Sequence, residues 1–206
     1  MEEYKTVKNS ACEEYVEKRS KFIGSCIPAE TEQQAIDFIN EQRSKYWDAT
    51  HNVYAYIIKD TGVMRYSDDG EPQGTAGIPV LEVLKKNQIT NAAIVVTRYF
   101  GGILLGAGGL VRAYSHSAKI ALEKSQIITM KPKCLCELYC SYNQYGRISL
   151  AISSLGGNLD KLDFRDSIKI NFHISEENLI ILNKQISDLT CGKVSVKSTE
   201  MKFFCE

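Results

Sequence analysis

The chain has 206 residues, and its 25 Lys plus Arg are matched by 25 Asp plus Glu, so the formal net charge is zero. This excludes a global basic field that would draw nucleic acid or membrane, and leaves any such binding to a local patch. No apolar run approaches the roughly 20 residues that span a bilayer, and the charged start MEEYKTVKNS lacks a secretion-signal pattern. The chain is therefore expected to be cytoplasmic, with no membrane partner. The length suggests one medium and one small domain.

In chain order, CEEYVEK and KFIGSCI flank Arg19 and Ser20 and predict a hairpin. Lys18, Arg19 and Lys21 form a basic cluster beside Phe22, which reads either as a guarded strand edge or as a phosphate contact. Thr31 followed by Gln34 is a capping-box signature, and the apolar spacing predicts a helix from Glu32 to about Tyr46. Trp47, the one tryptophan of the chain, is expected to be a largely buried core or domain-packing residue rather than a stacking platform. ATHNVYAYIIK predicts a strand with Val53, Ala55 and Ile57 on one face and Tyr54, Tyr56 and Ile58 on the other. His51 stands at its entrance, as a phosphate ligand or as a hydrogen-bonded strand-end residue. A turn at Asp60, Thr61 and Gly62 leads into a returning strand, Val63 to Tyr66.

The segment SDDGEPQGTAGIP is a structured loop whose glycines and prolines fix its path. Asp68, Asp69 and Glu71 lack the calcium-loop spacing, so they are expected to pair with arginines, with Arg65, Arg98 and Arg112 available. A helix follows around Pro79, Leu81 and Leu84. Next comes a continuous unit: a buried strand from Ala92 to Val96, then Arg98, Tyr99 and Phe100, then Gly101, Gly102, Gly106, Gly108 and Gly109, then a helix starting near Leu110. The glycines permit sharp bends or close approach, and the free N–H groups of the helix start favour an anion.

Spacing removes the named nucleotide motifs. A P-loop starting at Gly101 would need Lys after Gly106, where Ala107 stands, and a dinucleotide fingerprint starting at Gly106 would need Gly or Ala at Val111. The loop therefore reads equally as tight helix-on-sheet packing and as an anion seat. Seven cysteines without a CxxC pair suit reduced thiols. Cys134, Cys136 and Cys140 share one strand face as buried thiols rather than zinc ligands, and no metal or cofactor is expected. No serine elbow or nucleophile–histidine spacing is present. What remains is a constellation of Arg98, Tyr99, the glycine loop, Arg112 and Tyr114, with His51, Arg65 and Lys21 nearby. Arginine with tyrosine contacts phosphate and stacks on bases. The acidic loop is available to neutralise that patch.

Beyond a boundary at Ser125–Lys133, the order strand, helix, strand, strand, helix, strand predicts a ferredoxin-like βαββαβ domain. The expected domains are 1–130 and 134–206, giving an α+β chain.

Four ordered runs carry a family resemblance: SKFIG at 20–24, ATHNVYAY at 49–56, DDGEPQGTAGIP at 68–79 and VVTRYFGGILLGAGGLVRAY at 95–114. Together they closely resemble the YigZ/IMPACT family over nearly the whole chain. The resemblance implies an N-terminal α/β domain similar to domain two of ribosomal protein S-five, and a C-terminal domain similar to the late domains of elongation factor G. Eukaryotic IMPACT proteins are translational regulators that act by protein binding and carry a different additional domain, not expected in this chain, so the resemblance does not transfer that mechanism. The leading expectation is a non-enzymatic module that binds RNA, the ribosome or translation factors. An enzyme or sensor for a phosphorylated small molecule at the glycine loop is the alternative, and a protein-interaction adaptor is the third.

Overall fold

A computed structural model describes residues 1–205. The chain divides into two compact units, Tyr4–Thr129 and the residues from Met130 onward together with Met1–Glu3. The elements are β1 (Tyr4–Val7), β2 (Ala11–Glu17), β3 (Ser20–Pro28), α1 (Glu32–Lys45), β4 (His51–Ile57), β5 (Met64–Ser67), α2 (Gly77–Lys86), β6 (Ala92–Tyr99), α3 (Ala107–Lys124), β7 (Ile127–Cys140), α4 (Tyr142–Ser154), β8 (Asn158–Phe164), β9 (Ile168–Ile174), α5 (Glu176–Thr190) and β10 (Lys197–Cys205).

In the Tyr4–Thr129 unit, an antiparallel sheet runs in the order β2-β3-β6-β4-β5. Both of its faces are covered. Val53, Ala55, Ile57, Ala92, Ile94 and Val96 pack in one core with α2 and α3. Tyr56, Ile58, Ala93 and Val95 pack in a second core with Ala35, Phe38 and Ile39 of α1. Burial on both faces explains why β6 is apolar throughout rather than alternating. The strand extends beyond the expected Val96 to Tyr99, and its last residues carry the site.

Local signals set the element ends. The Thr31 side chain accepts a hydrogen bond from the Gln34 N–H, while the Gln34 side chain reaches back, closing the capping box of α1. Lys18 and Arg19 turn the β2–β3 hairpin with φ of +45° and +65°, a conformation that glycine or asparagine usually supplies. α3 starts at Ala107, three residues earlier than expected, because Gly106, at φ +69°, turns the chain into the helix. Gly24 is required by packing, since a Cβ there would lie 2.3 Å from the Ser117 carbonyl oxygen of α3.

The strands of the unit from Met130 onward lie in the order β10-β7-β9-β8 with these three pairings antiparallel, and β1 also lies beside β7 in that sheet. With α4 after its first strand and α5 after its third, this is the ferredoxin-like βαββαβ arrangement. Cys134, Cys136, Leu138 and Cys140 point into its core with Ile148, Ile152, Phe172 and Leu182. Burial pushes the Cys136 thiol up to about 11. Among the described residues, no helix is long and apolar enough to cross a membrane.

One expectation is reversed outright. Trp47 is 82% exposed, just past the end of α1. The stripe that buries Phe38 and Ile39 ends before it, as the chain leaves the helix at Tyr46.

Candidate binding site at the glycine loop

The site is built where β4 begins and β6 ends. Register places His51 opposite Arg98, so both side chains come to one edge of the sheet, beside the glycine loop and the start of α3. The fixed path of the acidic loop brings Glu71 against them. The Glu71 side chain is only 3% exposed. Its Oε1 accepts hydrogen bonds from Arg98 Nη1 at 2.6 Å and from the Tyr114 hydroxyl at 2.7 Å, and lies 3.7 Å from His51 Nε2.

The network is closed by second partners. His51 Nδ1 lies 2.8 Å from the Asp69 carbonyl oxygen. Since a carbonyl only accepts, Nδ1 carries the proton and Nε2 is the nitrogen turned toward Glu71. Arg98 is sandwiched between the Phe22 and Phe100 rings, 5.4 and 5.5 Å from their centroids. Its Nη2 donates to Ser20 Oγ at 3.4 Å, while its buried Nε has no hydrogen-bond partner among the described residues. Burial, and then the Glu71 carboxylate, push the Tyr114 phenol well above the ordinary tyrosine value.

The other two acids are structural. Asp68 accepts from the N–H groups of Gly74, Ala76 and Gly77, satisfying the start of α2 from outside the helix. Asp69 accepts from Arg43 Nη2 at 2.9 Å and from the Asn52 N–H at 2.6 Å.

The remaining expected residues divide clearly. Tyr114 is fully buried and Arg98 is 5% exposed, so neither projects as a surface contact. The reason is that α3 packs this face on the sheet, with Tyr114 edge-on to Phe22 at 5.3 Å. Tyr99 is half-buried, and its hydroxyl donates to Asp48 at 2.7 Å, a bond that pushes its pKa up to about 12. Lys21 is paired with Glu14 at 2.6 Å. Arg65 lies on β5 opposite Tyr56, five residues along β4 from His51, about 17 Å at strand rise, and so stands apart from the cluster. Arg112 is exposed on the first turns of α3.

Each glycine of the loop has its own role. A Cβ at Gly101 would lie 2.0 Å from the Arg19 carbonyl carbon, so the hairpin turn and the loop touch through backbone. Gly102 and Gly106 hold φ of +80° and +69°. Gly109 packs tightly on Leu105, and a Cβ at Gly108 would come no nearer than 4.0 Å to its neighbour, Arg112 Nη1. Two hollows flank the loop. One, of about 390 Å³, is lined by Thr50, His51, Glu71, Arg98, Phe100 and Leu104 among others. The second, of about 480 Å³, is lined by Tyr15, Lys18, Arg112 and His116 among others. Glu71 as the hub, Ser20 as an acceptor for Arg98 and the Gly101 N–H, and Tyr15 and His116, whose rings meet at 4.5 Å, were not legible from local patterns. A charged residue inside a glycine- and proline-fixed loop was the available signal for Glu71.

Fold and site together define a two-unit α+β protein with a buried ion-pair hub beneath a glycine loop. Residues 18–122 match the family model described as the Impact N-terminal domain. The chain is 35% identical to "IMPACT family member YvyE" of Bacillus subtilis, covering 97% of this chain and 93% of that one. It is 30% identical to "IMPACT family member YigZ" of Escherichia coli, over 89% and 91% of the two chains. A solved structure titled "Crystal structure of an hypothetical protein" superposes with a TM-score of 0.62 at 28% identity, covering 97% of this chain and 98% of that one. The chain belongs to the IMPACT family.

Proposed function

We propose that this chain is a binding module that engages RNA or the RNA-containing translation machinery through the cationic face where the β2–β3 turn meets α3. One observation carries it. Lys18, Arg19 and Arg112 are exposed cations with no ion-pair partner among the described residues, and Lys18 and Arg112 line a hollow together with Tyr15 and His116. Unpaired cations beside stackable rings suit a phosphate backbone and its bases. The positive φ of Lys18 and Arg19 adds support, since a strained turn made of two basic residues is a costly way to make a hairpin unless the side chains are needed there. Membership of the family supports a translation-related role.

The test is association with total RNA and with ribosomes across a salt series, for wild type and for a Lys18→Ala/Arg112→Ala variant. Binding should weaken with salt and fall at least tenfold in the variant. Equal binding by the two proteins, or binding insensitive to salt, overturns the proposal. A protein partner is the second reading, favoured by Trp47 at 82% and Leu104 at 83% exposure. It predicts a complex that survives nuclease treatment.

A further inference from the structure

The hollow on the cationic face holds one residue that phosphate contacts do not explain. Glu17 lines it together with Tyr15, Lys18, Arg112 and His116. Phosphate oxygens repel a carboxylate, so a seat for phosphate alone is better without one.

Two elements build the arrangement. Tyr15 and Glu17 are two residues apart on β2, the edge strand of its sheet, and so stand on one face. Arg112 and His116 are one turn apart on α3, which packs against that strand. The Tyr15 hydroxyl donates to Glu17 Oε2 at 2.7 Å, which fixes the carboxylate in place. Glu17 Oε1 has no hydrogen-bond partner, and the carboxylate has no cation at ion-pair distance, among the described residues. Oε2 keeps a second lone pair, so both oxygens can still accept. The exposed His116 ring meets Tyr15 edge-on at 4.5 Å and gives a base a surface to lie against. At about 480 Å³ the hollow is the size of a small-ligand site, suited to one nucleotide unit.

Base chemistry chooses the nucleotide. A carboxylate only accepts, so it matches a base edge on which two neighbouring groups both donate. Adenine and cytosine each set an amine beside a ring-nitrogen acceptor, and uracil flanks its N–H with two carbonyls. Guanine alone presents N1–H beside an N2 amine. We propose that this hollow selects guanine, with N1–H and the N2 amine on the Glu17 carboxylate, the base along His116, and the adjoining phosphate on Lys18 and Arg112. This rests on the reading that the cationic face binds RNA, and it adds the base which that face prefers.

The experiment is fluorescence anisotropy of the full chain with labelled single-stranded oligouridine carrying one central guanosine. The same strand with uridine, adenosine, cytidine or inosine at that position serves for comparison, and free GMP is measured separately. Expected is at least about tenfold tighter binding of the guanosine strand than of the uridine strand, with inosine, which lacks the N2 amine, weaker than guanosine. Glu17→Gln keeps the size and can still take the Tyr15 bond but loses one acceptor, so the guanosine-to-uridine affinity ratio should fall to about one. His116→Ala removes an exposed ring and should weaken both strands at least about fivefold. Preference for another base, inosine binding as tightly as guanosine, an unchanged ratio in Glu17→Gln, or unchanged binding in His116→Ala each overturn the proposal. Salt-sensitive binding that ignores base identity overturns it alone and leaves the RNA reading standing. Saturating binding of free GMP with no binding of any strand supports guanine selection and overturns the RNA reading, and no binding of either overturns both.

Discussion

Glu71 holds the centre of the N-terminal unit. A carboxylate so deeply buried is tolerable only because its charge is met by Arg98 and its lone pairs by Arg98 and Tyr114. Removing one partner leaves the other charge stranded. Glu71→Ala should therefore lower stability by about 3–5 kcal/mol, read from chemical denaturation; a loss below 1 kcal/mol would show that Arg98 finds other compensation. Tyr114→Phe leaves the ion pair intact and removes one donor, so about 1–2 kcal/mol is expected at neutral pH. It also changes the alkaline limb. The folded-state phenol is raised above its ordinary value of 10.0, so its contribution is complete below pH 10 and is lost as pH rises above it. Wild type should lose melting temperature above pH 10 more steeply than Tyr114→Phe, and parallel curves would refute this assignment. The expected pairing of the acidic loop with arginine holds for Glu71 and Arg98, whereas Asp69 meets Arg43 and Asp68 meets backbone N–H groups. Which acid pairs with which arginine was not readable from composition, because Asp68, Asp69 and Glu71 are near neighbours in sequence but face a helix start, an Asn52–Arg43 pair and a buried arginine respectively.

At the scale of elements, the acidic loop joins β5 to α2 and is ordered by its own side chains. Asp68 accepts from three backbone N–H groups, two of them at the start of α2, a helix whose N-cap residue, Ala76, supplies no side-chain hydrogen bond. Asp68→Ala should cost about 2 kcal/mol, at the upper end of the range for a lost cap, because nothing else reaches those donors. Faster amide exchange at Gly74, Ala76 and Gly77 would locate the effect. The elements themselves were largely legible. The capping box of α1, the β2–β3 hairpin and the strand–glycine–helix run from β6 to α3 all follow from local rules. Trp47 was misplaced because an apolar stripe gives no sign of where the last buried turn ends. Arg65 was grouped with the site because the register of β5 on β4, which carries it toward the far end of the strand, is a pairing between chain segments.

For the whole molecule, zero net charge means that binding to a polyanion depends on the placement of a few cations rather than on a general field. If Lys18, Arg19 and Arg112 are the phosphate contacts, the logarithm of affinity for single-stranded RNA should fall with the logarithm of salt with a slope of about −2, and the double variant should flatten it. A slope near zero in wild type would remove the cationic face from consideration. The sequence by itself determined the α+β class, the order of elements and the glycine-rich turn into α3, because hydrophobic period, caps and glycine torsions are local properties of the chain. Tertiary structure alone decided that Arg98 and Tyr114 are interior, that Glu71 is their shared acceptor, and that Lys18 lines one hollow with Arg112. Those facts depend on strand register and on the close approach of α3 to β3 over Gly24, which bring together residues far apart in sequence.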